Sequence, residues 1–186
     1  MKNITFLGDS LTAGYGLQNH SLESVPALIQ QKINHGGLDY TVYNAGMSGS
    51  TSGNGLYRLD AWLRRPIDAF ILELGINDVI RSVPVERTRK NMEAILDKVL
   101  ARNPGCKLAL MGMRLPKNTR SPVADKFNQM YPELAEKYSM VYVPFFLEGV
   151  AGKRELNLHD GLHPNAAGYT IIADNIWPVI HDMLSS

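Results

Sequence analysis

Short apolar runs alternate along the chain with longer stretches in which apolar residues return every third or fourth position. The runs are Ile4 to Leu7, Tyr40 to Tyr43, Asp68 to Leu74, Leu108 to Met113 and Met140 to Val143. Each has the length and composition of a buried strand. Between them, Val25, Leu28, Ile29 and Ile33 mark one helical face, opened by Ser24 and stopped by Gly36 and Gly37. Leu56, Leu59, Trp62 and Leu63 mark a second. Met92, Ile95, Leu96 and Val99 mark a long third, with Pro84 in its first turn and Asn103-Pro104-Gly105 at its end. Phe127, Tyr131, Leu134 and Tyr138 mark a fourth, with a bend expected at Pro132. Tyr169, Ala173, Ile176 and Ile180 mark a last one, capped by Asn165 and with Pro178 near its end.

Two stretches stand outside this rhythm. Met47 to Gly55 is rich in Gly, Ser, Thr and Asn, the composition of a linker. A turn feeding the Leu56 helix fits better, because helical spacing follows at once. Arg114 to Pro122 is a polar loop with two prolines.

Five strands alternating with helices predict an α/β fold: a parallel sheet with both faces covered and right-handed crossovers. In such sheets ligands bind beyond the carboxyl ends of the strands. The chain's unusual residues fall at those ends: Ser10 after the first strand, Gly46 after the second, Asn77 after the third and His163 after the fifth.

Composition narrows the picture by exclusion. The 186 residues suit one domain over 1–186. With 19 Lys plus Arg against 18 Asp plus Glu, there is no field for nucleic acid or an anionic membrane. Cys106 is the only cysteine, so an internal disulfide is impossible and a thiolate zinc site is not expected. No apolar run approaches the ~20 residues of a membrane span, so no stable membrane insertion is expected. The first strand begins within five residues of Met1, which predicts a cytoplasmic chain without a leader. A periplasmic or secreted protein trimmed of its leader reads the same way. Oligomeric state is left open.

The candidate chemistry starts at Gly8-Asp9-Ser10-Leu11. A serine between a strand and a helix start sits among unbonded backbone N–H groups that favour negative charge. Asp9 and Ser10 equally suit plain helix capping. A serine nucleophile needs a base. Of the five histidines, His163 lies in Asp160-Gly161-Leu162-His163-Pro164, where Asp160 can turn back to accept the imidazole N–H. Ser10 N–H, Gly46 N–H and the Asn77 amide are candidate donors to an oxyanion. Together these make up a hydrolase site that needs no cofactor or metal.

Two alternatives compete. His159 and His163 are spaced four apart, as in the zinc motif His-Glu-x-x-His, but that motif requires a helix, and Gly161 and Pro164 oppose one. A flavodoxin-like phosphate- or nucleotide-binding module without hydrolase activity would use Ser48 to Gly55. No Gly-x-Gly-x-x-Gly or Walker sequence supports it.

The four blocks Gly8-Asp9-Ser10-Leu11, Asn44-Ala45-Gly46, Gly75-Ile76-Asn77-Asp78 and Asp160-Gly161-Leu162-His163-Pro164 resemble those of the GDSL, or SGNH, hydrolase family, in order and over nearly the whole chain. The resemblance implies a three-layer α/β/α fold with a five-stranded flavodoxin-like sheet. It also implies Ser10 as nucleophile, His163 as base and Asp160 as its orienter, with Ser10, Gly46 and Asn77 in the oxyanion hole. Glu73 to Asp78, Met113-Arg114-Leu115-Pro116 and Val143-Pro144-Phe145-Phe146 are similar to segments of the small bacterial arylesterase, acyl-CoA thioesterase and lysophospholipase branch. That branch can carry glycine where this chain has Ile76. The implied substrate is a small acyl ester or thioester. Leu11, Ile76, Leu115 and Leu162 flank the motifs and are candidates for the acyl site. Phe145 and Phe146 rank below them.

Overall fold

The computed structural model describes residues 2–115 and 121–186. Pro116 and the stretch 116–120 of the expected polar loop therefore lie outside the described residues. Five parallel strands form one sheet: β1 (Lys2–Gly8), β2 (Tyr40–Gly46), β3 (Ala69–Glu73), β4 (Lys107–Met111) and β5 (Val141–Val143). Their order is β2-β1-β3-β4-β5. The order reverses between β1 and β3, and that reversal is where an open sheet leaves a crevice at its carboxyl edge.

The helices are α1 (Ser10–Ala13), α2 (His20–Glu23), α3 (Val25–His35), α4 (Ser52–Trp62), α5 (Ile76–Ile80), α6 (Val85–Arg102), α7 (Pro122–Lys137) and α8 (Ala166–Ser185). α3 and α8 pack together on one face of the sheet, and α4, α6 and α7 on the other. The expected α/β/α layering is what the chain forms. Every residue of β3 is buried, which explains why its run is apolar on both faces. Arginine, lysine and glutamate pairs such as Lys126–Glu86 stay on the outside.

Local chemistry sets the boundaries. Gly53-Asn54-Gly55 is not linker but the first turn of α4. Thr51 Oγ1 accepts the Asn54 N–H at 3.2 Å and Asn54 Oδ1 accepts the Thr51 N–H at 3.1 Å, a reciprocal cap. A side chain at Gly55 would meet Leu74 Cδ1 at 2.5 Å, so this glycine lets α4 lie close on the sheet. Asn165 caps α8 as expected, its Oδ1 accepting the Gly168 N–H at 3.1 Å. Ser24 stands at the start of α3, but its hydroxyl bonds no helix N–H; it accepts from Asn44 Nδ2 at 3.4 Å instead. α7 continues past Pro132 and α8 past Pro178.

The register aligns the strand ends. Gly8 pairs with Gly46 on one side and Glu73 on the other. The loops after β1, β2 and β3 thus leave the sheet at one level, side by side. α1 then folds down over the end of β2, and it fits only because position 46 lacks a side chain. A Cβ there would lie 2.3 Å from the Ala13 nitrogen.

Candidate active site

β1 delivers the chain through Gly8 directly into α1. Asp9 occupies the N-cap, its Oδ1 accepting the Leu11 N–H at 3.0 Å. Ser10 opens the helix, and among the described residues nothing accepts its N–H. Its hydroxyl oxygen lies 2.9 Å from His163 Nε2. His163 Nδ1 lies 2.7 Å from Asp160 Oδ2. A proton on Nδ1 facing Asp160 leaves Nε2 as an acceptor for the serine hydroxyl.

The Asp160–His163 segment is a turn, not the helix a zinc motif requires. The Leu158 N–H donates to the His163 carbonyl at 2.8 Å and the Gly161 N–H to the Leu158 carbonyl at 2.9 Å. Gly161 takes φ +68°, a conformation that favours glycine. Asn157 braces the turn from beneath, donating to the Val150 and Lys153 carbonyls at 2.8 and 2.7 Å. Asp160 Oδ1 accepts the N–H groups of Leu162 and His163 at 2.9 and 3.0 Å. Those backbone bonds, with the imidazole on Oδ2, hold the carboxyl down at about 2. The Tyr15 ring lies 4.5 Å from the imidazole, centroid to centroid, and walls it on the other side. Among the described residues no group of three or more His, Cys, Asp or Glu side chains is placed to hold a metal ion.

The three candidate oxyanion donors do not fare alike. Asn77, in α5, donates from Nδ2 to Asp9 Oδ2 at 2.8 Å and keeps a second amide hydrogen. The Ser10 N–H is uncommitted. The Gly46 N–H is not: it donates to Asn44 Oδ1 at 2.9 Å. That bond competes with a place in the oxyanion hole, and the missing side chain also permits the close approach of α1. Three residues on, Gly49 takes φ +74° in the turn closed by the Ser50 N–H on the Met47 carbonyl at 3.0 Å. Among the described residues nothing accepts its N–H. A Cβ there would meet Arg81 at 3.1 Å, so this turn faces the end of α5.

Behind Ser10 lies a cluster that the sequence reading did not use. Glu73 ends β3 and is 1% exposed; Asp9 is 0% exposed. Glu73 Oε2 accepts the Asp9 N–H at 3.2 Å and the Thr12 hydroxyl at 2.8 Å, while Oε1 has no hydrogen-bond partner among the described residues. Arg58, from α4, donates to the Ala45 carbonyl and to the Gly8 carbonyl, the latter at 2.6 Å, tying the ends of β2 and β1 together. Burial pushes the Asp9 carboxyl up to about 6 and Glu73 well above the ordinary range, and lowers Arg58. Burial thus pushes both carboxyls toward the neutral acid. The one visible signal was a glutamate inside the run Ala-Phe-Ile-Leu-Glu-Leu. Asp78 is buried and accepts from the Ser52 N–H, the Ser52 hydroxyl and the Thr88 hydroxyl at 2.7, 2.5 and 3.2 Å. It anchors α5 to α4 and α6.

Beside Ser10, on the β3–β4 side, is a mostly apolar cavity of about 280 Å³. Leu11, Ile76, Leu115 and Leu162 all line it, with Ile80, Met113 and Phe145. Phe146 does not; it is 1% exposed and part of the core. Ile80 and Leu162 are each 65% exposed, leaving the rim open and greasy. On the β2 side, a wider groove of about 900 Å³ runs from Tyr15 past Ser48 to Gln31.

The sequence pattern of GDSL-like lipases and acylhydrolases matches residues 6–171. The chain belongs to this family. Esterase TesA of Pseudomonas aeruginosa is 35% identical over 184 residues, 98% of this chain and 90% of that protein. The thioesterase 1/protease 1/lysophospholipase L1 of Escherichia coli is 37% identical over 172 residues, covering 92% and 79%. The crystal structure of the psychrotrophic esterase EstA from Pseudoalteromonas, inhibited by monoethylphosphonate, superposes with a TM-score of 0.89 at 33% identity, covering all of both chains. As a GDSL-like acylhydrolase, the chain is a carboxylic ester hydrolase of the SGNH fold. Among the described residues no helix is long and apolar enough to cross a membrane.

Proposed function

We propose that residues 1–186 act as one SGNH domain that hydrolyses short- to medium-chain acyl esters, and thioesters or aryl esters with the same acyl groups, through an acyl-enzyme on Ser10. The observation that carries this reading is the continuous line Asp160 Oδ2–His163 Nδ1, His163 Nε2–Ser10 Oγ, at 2.7 and 2.9 Å, ending at the mouth of an apolar cavity. Ser10 Oγ attacks the carbonyl carbon as His163 Nε2 takes the hydroxyl proton. Asp160 keeps the proton of Nδ1 in place and stabilises the imidazolium. The negative charge on the former carbonyl oxygen is met by the Ser10 N–H and the free Asn77 amide hydrogen. On the β2 side the Gly46 N–H joins them once Asn44 releases it. His163 then protonates the departing alcohol or thiol. Water, deprotonated by the same imidazole, attacks the acyl-enzyme and restores Ser10.

Leu11, Ile76, Leu115 and Leu162 take the acyl chain. A volume of about 280 Å³ with an open rim suits a chain of a few carbons and tolerates longer ones that run out past Ile80. The steps draw their nucleophile, base and oxyanion donors from side chains and backbone, so activity should be indifferent to EDTA.

Fluorophosphonate labelling tests the reading, because a tetrahedral phosphonyl group on Ser10 mimics the transition state. One adduct, on the peptide carrying Ser10, is expected, together with loss of turnover in Ser10→Ala. No adduct, or one elsewhere, would favour the binding-module alternative. Strong loss with EDTA restored by zinc would revive the metal one.

A further inference from the structure

An asparagine amide has a donor end and an acceptor end of nearly the same shape, and a half-turn of its terminal torsion exchanges them. In an oxyanion hole only the donor end is useful; the oxygen end would repel the charge it is meant to hold. Something must therefore fix the Asn77 amide. We propose that Asp9 is that positioning residue: its carboxylate sets which end of the Asn77 amide faces the reacting carbonyl, and Glu73 holds Asp9 in place to do so. The inference rests on the reading of Ser10 as nucleophile and Asn77 as oxyanion donor.

The geometry gives Asp9 no freedom. Its Oδ2 takes one Asn77 amide hydrogen at 2.8 Å and its Oδ1 takes the Leu11 N–H at 3.0 Å. Its own N–H goes to Glu73 Oε2 at 3.2 Å, the same oxygen that receives the Thr12 hydroxyl. Both carboxylate oxygens and the backbone are thus tied to α1, β3 and α5 at once. With one amide hydrogen spent on Oδ2, the other is left for the site.

Helix capping does not account for this residue. Asn or Ser would cap α1 as well as Asp, without a charge. Here the residue is 0% exposed, and a charge taken out of water is costly unless it is paired. What an aspartate offers that a neutral cap does not is an acceptor-only group, one that cannot bind the oxygen end of an amide. Asp9 retains that form at neutral pH although burial raises its pKa to about 6. Arg58 supplies the nearby positive charge.

A double-mutant cycle on p-nitrophenyl butyrate decides the matter. Asn77→Ala should lose ~10²–10³ in kcat, the effect of one oxyanion donor. Asp9→Asn preserves shape and capping but can donate to the Asn77 oxygen and turn the amide round. It should lose at least about tenfold in kcat with KM within about threefold of wild type. Asp9→Ser keeps a cap but loses the second oxygen that accepts from Asn77, and should fall with Asp9→Asn; melting curves confirm that both fold. Combined with Asn77→Ala, either Asp9 change should add less than about threefold, since both act through one donor. Losses that multiply in the double variant, or an Asp9→Asn enzyme with near wild-type kcat beside a crippled Asn77→Ala, would overturn the proposal and leave Ser10 and Asn77 in their roles. A wild type without a phosphonate adduct on Ser10, or an Asn77→Ala enzyme with full kcat, would instead remove the functional reading, and the proposal with it.

Discussion

Two aspartates flank Ser10, the proposed nucleophile, and the fold has pushed them in opposite directions. Asp160 sits on an exposed turn and is held by neighbours two and three residues away, Leu162 and His163. Asp9 sits in the interior and is held by partners 64 and 68 residues away, Glu73 and Asn77. Backbone N–H groups lower the first to about 2, and burial raises the second to about 6. The lesson is that exposure and local turns make a dependable anion cheaply, whereas an interior anion exists only where tertiary structure surrounds it with donors. The base side of the site is thus built locally and the nucleophile side globally.

The comparison can be tested at both ends. Asp160→Asn should show the largest effect, a loss of ~10³–10⁴ in kcat, because the amide keeps the turn but offers a donor to Nδ1 and selects the wrong tautomer. Its melting temperature should fall only slightly, since the exposed turn carries a small share of the stability; a loss in kcat under tenfold would mean that His163 needs no orienter. Asn77→Asp should be at least as damaging as the ~10²–10³ expected for Asn77→Ala, since a carboxylate would repel the oxyanion. Glu73→Ala should cost about 2–4 kcal/mol in a urea titration, for it empties a buried site and orphans the Asp9 N–H and Thr12 hydroxyl. A cost as small as that of an exposed Asp160→Ala change would deny the interior cluster its structural weight.

The two carboxyls should also give opposite pH slopes. Between about pH 4 and 6 the folded chain keeps the Asp9 proton that the unfolded chain has released, so unfolding releases a proton and stability falls as pH rises. Asp160 has the reverse sign. Its stabilisation is present above about pH 4 and is lost as pH falls through about 2. Denaturation midpoints of wild type should therefore fall relative to Asp9→Asn on going from pH 4 to 6.5, and parallel curves would contradict this. The smallest effect expected is at the rim: Ile76→Gly should shift preference by a few-fold toward longer acyl chains, about 1 kcal/mol per methylene-sized change. Unchanged relative rates across a series of chain lengths would remove Ile76 from the acyl site.

The same division explains what could be read from the chain. The five strands, their alternation with helices and the Asp160–His163 pair are local patterns, and all are legible in the residues themselves. The Gly49 turn and the fate of the Gly46 N–H are not. Both glycines announce only that a side chain is unwelcome, and which N–H is free depends on Asn44 bending back within β2. Glu73 was visible as an odd residue in an apolar run. Its partners became visible only through the register that sets Gly8 beside it. The cavity residues Leu11, Ile76, Leu115 and Leu162 come from four separate segments, and proximity to motifs was the sole clue to their convergence. Phe145 and Phe146 show the limit of such clues: adjacent and alike, one faces the cavity and the other the core.

The distance along the chain between Ser10 and His163, 153 positions, has a consequence for synthesis. A ribosome adding ~5–20 residues per second exposes Ser10 roughly 8–30 s before His163. β1 cannot settle until β2 and β3 emerge to flank it, and β5 ends at Val143, twenty residues short of the imidazole. A nascent or prematurely terminated chain that stops in that interval owns every strand of the sheet and a serine with nothing to deprotonate it. On the proposed roles of Ser10 and His163, hydrolytic competence is among the last properties the polypeptide acquires, and a chain stopped before His163 should turn over no ester.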